Sequence, residues 1–201
     1  VQRPLGAESA FAGVEDLVAR RTIRFGDPED PRDFLVAEGI SPEGEAARQA
    51  LVDGVADHDD PTAEAVLDDR AVDAESLRAA IRRVTLAGRF VPLLAGAALR
   101  NRGIPQVLDA VCAYLPSPLD VPAPVGHNPH TGEDESRPVG DSAPLLALAF
   151  KVSLLDERRR YVFVRVYSGR MAEGDPVWNA SQGRFEKIGR VLLMHAAQKE
   201  R

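Results

Sequence analysis

The residue pattern best suited to chemistry is a small-residue loop, Gly96-Ala97-Ala98-Leu99, between an apolar run and a helix that opens at Pro105. Small side chains and backbone N–H groups allow such a loop to approach a planar ligand closely. The loop is therefore suited to form one wall of a site for a planar ligand such as a nucleotide base. Nucleotide hydrolysis also needs groups that position the phosphates and magnesium.

No phosphate-binding pattern accompanies this loop. The sequence G-x-x-x-x-G-K-[ST] is absent, and the three lysines of the chain, Lys151, Lys187 and Lys199, all follow the loop. No lysine precedes Lys151, so neither a phosphate loop nor an N-K-x-D guanine motif exists upstream. We therefore predict no catalytic residue and no hydrolysis by this chain alone.

Other candidate sites are weaker. His127 and His130 stand three apart in "HNPH", but a proline-containing loop without a partner cluster does not organise a metal site. The "DHDD" of residues 57–60 is better explained as a helix end followed by an N-cap. Cys112 falls on the apolar side of a predicted helix, so we expect a buried, inert thiol. We predict no metal site.

Composition and charge limit the class of protein. The 201 residues are 44% hydrophobic and 28% charged, which favours a folded chain over a disordered one. No apolar run approaches the ~20 residues needed to cross a bilayer. A single cysteine suits a reducing compartment. We expect a cytoplasmic monomer with no membrane partner.

The net charge of −6 is unevenly distributed. Residues 27–75 contain 16 acidic and 3 basic residues, whereas residues 145–201 contain 11 basic and 6 acidic ones. The acidic part should repel nucleic acid, and the basic end could approach it. A solvated acidic helical surface beside a mildly basic sheet is the alternative.

Residues 1–88 predict a small α+β unit. The segment "GVEDLVARRTIRFG" (13–26) is typical of strands. Three helices follow, each opened by an N-cap residue, with prolines after the first two caps: Ser41, Asp60 and Asp73. Each helix has an apolar face, so the acidic surface belongs to a folded unit.

The rest of the chain predicts a strand, a helix, a linker and then a sheet. "RFVPLLAG" (89–96) is typical of a buried parallel strand, and the following helix places one apolar face inward. That face comprises Val107, Leu108, Val111, Cys112 and Leu115. Residues 116–143 are rich in proline and glycine and predict a linker. Four strand-like runs beyond it, 145–155, 160–169, 175–180 and 184–195, predict antiparallel β-structure in a small barrel.

Four stretches, in order along the chain, resemble translational elongation factor G, a family of ribosome-dependent GTPases. They are "RPLGAESAFAGVEDLV", "VPLLAGAALRNRGIPQVLDAVCAYLPSPLDVP", "LLALAFKV" with "FVRVYSGRMAEGDPVWN", and "KIGRVLLMHA". The pair "YLPSPLD" and "RVYSG" is the most specific. Ribosome-protection proteins and peptide-release GTPases share this plan, but "YLPSPLDVPA" and "MHA" favour elongation factor G.

The resemblance implies the fold class: α/β plus all-β. It implies an inserted α+β subdomain and the C-terminal end of a GTPase domain, followed by part of an antiparallel β-barrel. The implied domains are 1–88 (inserted subdomain), 89–115 (last strand and helix of the GTPase domain), 116–143 (linker) and 144–201 (partial barrel). The chain would then be an internal fragment or a divergent elongation-factor-G-like protein. The alternative is a free-standing, non-catalytic module that binds ribosomes or proteins.

The resemblance also assigns the guanine loop. The last guanine motif of the family falls on Ala97, Ala98 and Leu99, which would bind nucleotide only in the intact parent. The usual serine of that motif is replaced by Ala97, so a hydroxyl is lost and the close approach is kept. GTP and magnesium would be cofactors of the parent, with none held by this chain.

The ribosome is the implied partner. Ribosomal RNA would be contacted through the β half, and the stalk protein through the acidic subdomain. The candidate RNA contacts are Arg158, Arg159 and Arg160, because a turn between two strands would present three guanidinium groups to phosphate oxygens. A solvated basic turn without a partner is the alternative.

Overall fold

The computed structural model describes residues 1–128, 131–156, 159–195 and 198–200. The chain divides into two compact units, Val1–Pro116 and Ser117–Arg201. Among the described residues, none of the helices combines the length and the apolar character that a membrane crossing requires.

An antiparallel four-stranded sheet opens the first unit. Its strands follow chain order: β1 (Gln2–Leu5), β2 (Gly13–Asp16), β3 (Arg21–Phe25) and β4 (Phe34–Glu38). Val14 and Ile23 are cross-strand partners, and both are buried. Together with Phe11 they form a small core on one face of the sheet, as expected where alternate strand residues face the interior. The strands predicted within 13–26 are confirmed.

Three helices follow the sheet: α1 (Pro42–Ala56), α2 (Asp60–Leu67) and α3 (Ala74–Leu86). The predicted N-caps Ser41 and Asp73 are confirmed, because their side chains accept hydrogen bonds from Gly44 N and from Glu75 N and Ser76 N. The predicted cap of α2 is wrong by one residue. Asp59, not Asp60, accepts the hydrogen bond from Thr62 N. Such caps typically stabilise a helix by about 1 kcal/mol.

The main core of the first unit lies among these helices and the end of β2. Its buried side chains are Leu17, Val18, Leu51, Val52, Val55, Leu77, Ala80, Ile81 and Tyr114. Leu51, Val52 and Val55 of α1 and Leu77 and Ile81 of α3 repeat at helical spacing, so one apolar stripe of each helix is buried.

Residues 89–96 do not form the predicted parallel strand. Val91 and Leu93 are 77% and 73% exposed, and no described strand pairs with this segment. A parallel strand is stable only when neighbouring strands supply its hydrogen bonds. The segment is instead hydrogen-bonded to the first residues of the chain. The Val1 amino group donates to Leu93 O at 3.2 Å, and Ala95 N donates to Gln2 Oε1 at 3.2 Å.

Helix α4 (Ile104–Tyr114) forms, but the predicted burial of its apolar face is wrong. The helix packs on the core through Ala110, Ala113 and Tyr114, and Arg82 of α3 donates to Ala113 O and Leu115 O, both at 2.9 Å. The larger side chains on the opposite side are exposed: Val107 39%, Leu108 60%, Val111 46% and Leu115 48%. Cys112 is also exposed, not buried.

The second unit consists of antiparallel hairpins. They pair β5 (Val125–His127) with β6 (Asp134–Ser136), β7 (Leu146–Asp156) with β8 (Arg159–Ser168), β9 (Pro176–Asn179) with β10 (Arg184–Lys187), and β11 (Leu193–His195) with β12 (Gln198–Glu200). The described strands do not close into a barrel. The predicted fold class, mixed α/β followed by antiparallel β-structure, is confirmed.

Two details of the second unit differ from the sequence prediction. Residues 125–136, predicted as linker, contain the β5–β6 hairpin. The run 184–195, predicted as one strand, is divided into β10 and β11. One face of the β7–β8 ribbon, with Val152, Val162 and Val166 on it, remains largely exposed.

Candidate functional site

The predicted guanine-contacting loop is a tight reversal in the first unit, between Gly96 and Gly103. Ala97 and Arg102 form an isolated antiparallel bridge, in which Ala97 N donates to Arg102 O at 3.0 Å and Arg102 N donates to Ala97 O at 3.2 Å. A Cβ atom on Gly96 would lie 2.9 Å from Arg102 O, and Gly103 has a φ of +81°. The base of the loop therefore requires both glycines.

Ala98–Arg100 form one 3₁₀ turn at the tip of this loop. The first N–H groups of such a turn have no partner within it, and those of Ala98 and Leu99 have no acceptor among the residues that the structure describes. The Leu99 side chain is fully exposed. The tip therefore presents two adjacent backbone donors to solvent, an arrangement suited to a carbonyl acceptor such as O6 of guanine.

Ala97 has a structural role that its sequence position did not reveal. It is the N-cap residue of the 3₁₀ turn and makes no side-chain capping bond. A serine at an N-cap accepts a hydrogen bond from the second or third N–H of the turn. With alanine at this position, the second donor, Leu99 N, has no acceptor among the described residues, whereas the third, Arg100 N, donates to Ala97 O at 2.9 Å. The replacement therefore removes a competitor for Leu99 N as well as a hydroxyl.

The loop is fixed to the sheet side of the first unit. Asn101, at a φ of +52°, donates from Nδ2 to Pro28 O at 2.9 Å. The Arg102 guanidinium donates to Phe11 O, and Ala95 and Ala97 pack on the core around Phe11. Residues near the four-stranded sheet, Phe11 and Pro28, thus hold this loop in place.

The first unit has no phosphate loop of the G-x-x-x-x-G-K-[ST] type. It contains no lysine, and the described residues contain no cluster of three or more His, Cys, Asp or Glu side chains arranged for a metal ion. The "DHDD" segment has a structural role, as predicted. Asp59 caps α2, and its Oδ1 atom lies 2.7 Å from Nε of Arg83. The hydrogen bonds from Arg83 hold the pKa of Asp59 below its ordinary value although the carboxylate is buried.

The predicted RNA-contact arginines fall on the connection between β7 and β8. Arg158 lies outside the described residues. Arg159 opens β8 opposite Asp156. Arg160 lies opposite Leu154, and its side chain is exposed. Of the two histidines of "HNPH", His130 also lies outside the described residues, and His127 pairs with Asp134 at 3.3 Å on the surface.

The fold and this loop can be compared with known proteins. No protein-family model matches the chain. A crystal structure from Thermus thermophilus superposes with a TM-score of 0.70 at 21% identity, covering 99% of this chain and 27% of that one. The chain therefore has a fold already found within a larger protein.

The chain is similar to curated translation elongation factors. The whole chain is 44% identical over 204 residues to elongation factor G 2 of Geobacter metallireducens and 40% identical over 204 residues to elongation factor G 2 of Syntrophus aciditrophicus. It is 39% identical over 202 residues to elongation factor G of Dehalococcoides mccartyi. The resemblance to elongation factor G is thus confirmed. The chain spans only 29–30% of the length of these relatives.

Proposed function

We propose that the chain is a segment of a ribosome-dependent translocation GTPase of protein synthesis and is not catalytic by itself. The observation that carries this proposal is identity of 39–44% to elongation factor G over the full chain. The guanine-type loop supports it, because its two free backbone donors stand in a unit without a phosphate loop or any lysine. A free-standing, non-catalytic module is the alternative. A reading frame that continues on both sides of these 201 residues would exclude that alternative.

The exposed apolar surfaces of the first unit support a larger parent domain. Val91 and Leu93 have strand-like side chains without a sheet, and α4 exposes Val107, Leu108 and Val111. Neighbouring exposed apolar side chains that form a contiguous patch typically mark a surface that another element covers. We propose that the remaining strands of a GTPase domain pack on both.

We expect the isolated chain to bind no GTP at micromolar concentrations. The loop offers contacts to the base only, and these are too few to offset the loss of translational and rotational freedom on binding. Calorimetric titration of the chain with GTP and Mg²⁺ measures this directly. A micromolar dissociation constant would contradict the proposed division of the site between this chain and the rest of the parent.

We further propose that the β half contacts ribosomal RNA through Arg158, Arg159 and Arg160. Replacing all three with alanine in the full-length protein should flatten the slope of log affinity for ribosomes against log salt by roughly two to three units, because about three phosphate contacts are lost. A matched control replaces three arginines that already bind carboxylates. These are Arg137, Arg170 and Arg184, bound to Glu135, Asp141 and Glu186.

The control changes the net charge equally, so the difference between the two triple variants isolates direct contact. Equal slopes would mean that the three arginines do not contact RNA. Cross-linking in the same complexes checks the acidic subdomain, residues 1–88, which we propose faces the stalk protein. Cross-links from that subdomain to RNA and never to protein would contradict this assignment.

A further inference from the structure

Strand β8 separates its side chains into two chemically different faces. In the segment "YVFVRVY", alternate residues share a face of the ribbon. Val162, Val164 and Val166 lie on one face. Tyr161, Phe163, Arg165 and Tyr167 lie on the other, joined there by Lys151 of β7, which is the cross-strand partner of Phe163. We name this second set the aromatic–cationic face.

Cations lie over aromatic rings on this face. Lys151 Nζ is 5.3 Å from the centroid of the Phe163 ring, and Arg165 Cζ is 5.0 Å from the centroid of the Tyr167 ring. These distances are within the range of cation–π attraction. Both cations are exposed, whereas the two rings are half-buried. Each pair therefore presents a charged group to solvent above an apolar ring.

Among the described residues, Lys151 and Arg165 lack the anionic partner that three other arginines of the second unit have. Arg137, Arg170 and Arg184 each bind a carboxylate in the second unit. Lys151 and Arg165 bind no carboxylate among the residues that the structure describes. Because no ion pair within the described part of the chain neutralises these two cations, their positive charge is available to an external anion.

We propose that the aromatic–cationic face binds single-stranded RNA. Phosphate oxygens match the two unpaired cations, and unstacked bases pack on aromatic rings and on arginine planes. A duplex shields its bases from such stacking, so single strands are preferred. The inference rests on the proposed ribosomal function for the source of the RNA, and its chemistry can be measured without ribosomes.

The test uses the 201-residue chain and a fluorescein-labelled oligouridylate of about twelve nucleotides, close to the site size of single-strand binding proteins, with binding followed by anisotropy over a salt series. The double variant Lys151→Ala/Arg165→Ala should flatten the slope of log affinity against log salt by about 1.4, for two phosphates on a single strand. The double variant Phe163→Leu/Tyr167→Leu keeps the charges and should weaken binding roughly tenfold or more through lost stacking. Its salt slope should not change.

The matched control is Arg170→Ala/Arg184→Ala, which removes the same charge from cations that are already paired. Thermal melts identify any variant that unfolds. The variant Arg165→Lys keeps the charge, so its slope of log affinity against log salt should equal that of the wild type. The inference is overturned if the chain does not bind the oligonucleotide. It is also overturned if the control loses as much affinity as the charge variant, or if duplex RNA binds as tightly.

The proposed function and this inference can fail separately. If the full-length protein does not bind ribosomes while the chain still binds oligouridylate through this face, the proposed function fails and this inference stands. If the full-length protein binds ribosomes and the face variants leave oligouridylate binding unchanged, this inference fails and the proposed function stands.

Discussion

The substitution Leu108→Ala is expected to lower the free energy of unfolding of the full-length protein by about 2–5 kcal/mol and to leave the isolated chain within about 0.5 kcal/mol of wild type. In the chain, the Leu108 side chain is 60% exposed on the outer face of α4. Removing an exposed side chain creates no cavity. In the proposed parent, the same side chain lies beneath the rest of a GTPase domain, where its loss leaves a void.

Leu77→Ala is the matched control, because it makes the same chemical change in α3 at a side chain with 0% exposure. It should cost about 2–5 kcal/mol in both proteins. Urea denaturation of the four variants and the two wild-type proteins provides the comparison. Equal destabilisation of the chain by both substitutions would show that α4 is packed within it. If Leu108→Ala does not change the stability of the full-length protein, the proposal that a further domain covers α4 is contradicted.

Local signals predicted the helices of the first unit. Ser41 and Asp73 were identifiable as caps because a capping residue interacts only with N–H groups two or three positions later. Asp59 and Asp60 are equivalent by that criterion, since either carboxylate could cap a helix with a nearby proline. The choice depends on Arg83 of α3, which binds Asp59 from a distant part of the sequence.

Burial that depends on absent or distant neighbours could not be predicted. The apolar run 89–96 and the outer face of α4 have the composition of buried elements, but their exposure depends on what packs against them. The β5–β6 hairpin was missed because its three-residue strands are too short to show alternation. The loop at Ala97–Leu99 was proposed from its motif, and its free donors became apparent only from the turn at Ala98–Arg100.

A buried arginine of the first unit was also missed, although its spacing carries a signal. Arg48 stands at the head of a stripe that continues with Leu51, Val52 and Val55, so it lies on the inward side of α1. Its Nη1 atom donates to Leu17 O at 2.5 Å and to Val18 O at 2.9 Å, and its Nη2 atom donates to Val72 O at 2.7 Å. Burial lowers the pKa of this guanidinium.

Arg48 therefore ties the end of β2 and the connection between α2 and α3 to helix α1. We expect Arg48→Met to lower the free energy of unfolding of the chain by about 3–5 kcal/mol. Methionine fills the stem but leaves three carbonyl groups without a donor, and backbone carbonyls cannot be removed in compensation. Arg70→Met is the control for the chemical change. Arg70 is 60% exposed and bound to Asp68, so its loss should cost less than about 1 kcal/mol.

Urea unfolding of both variants measures the difference, and Arg48→Lys, which keeps a charged donor, should fall between wild type and Arg48→Met. If Arg48→Met leaves too little folded protein to measure, the lysine variant alone should still be less stable than Arg70→Met. Arg48 and Arg70 variants of equal stability would mean that burying the guanidinium costs as much as its three hydrogen bonds contribute. The position of the guanine loop does not depend directly on Arg48, because the loop is attached through Phe11 and Pro28 on the sheet side.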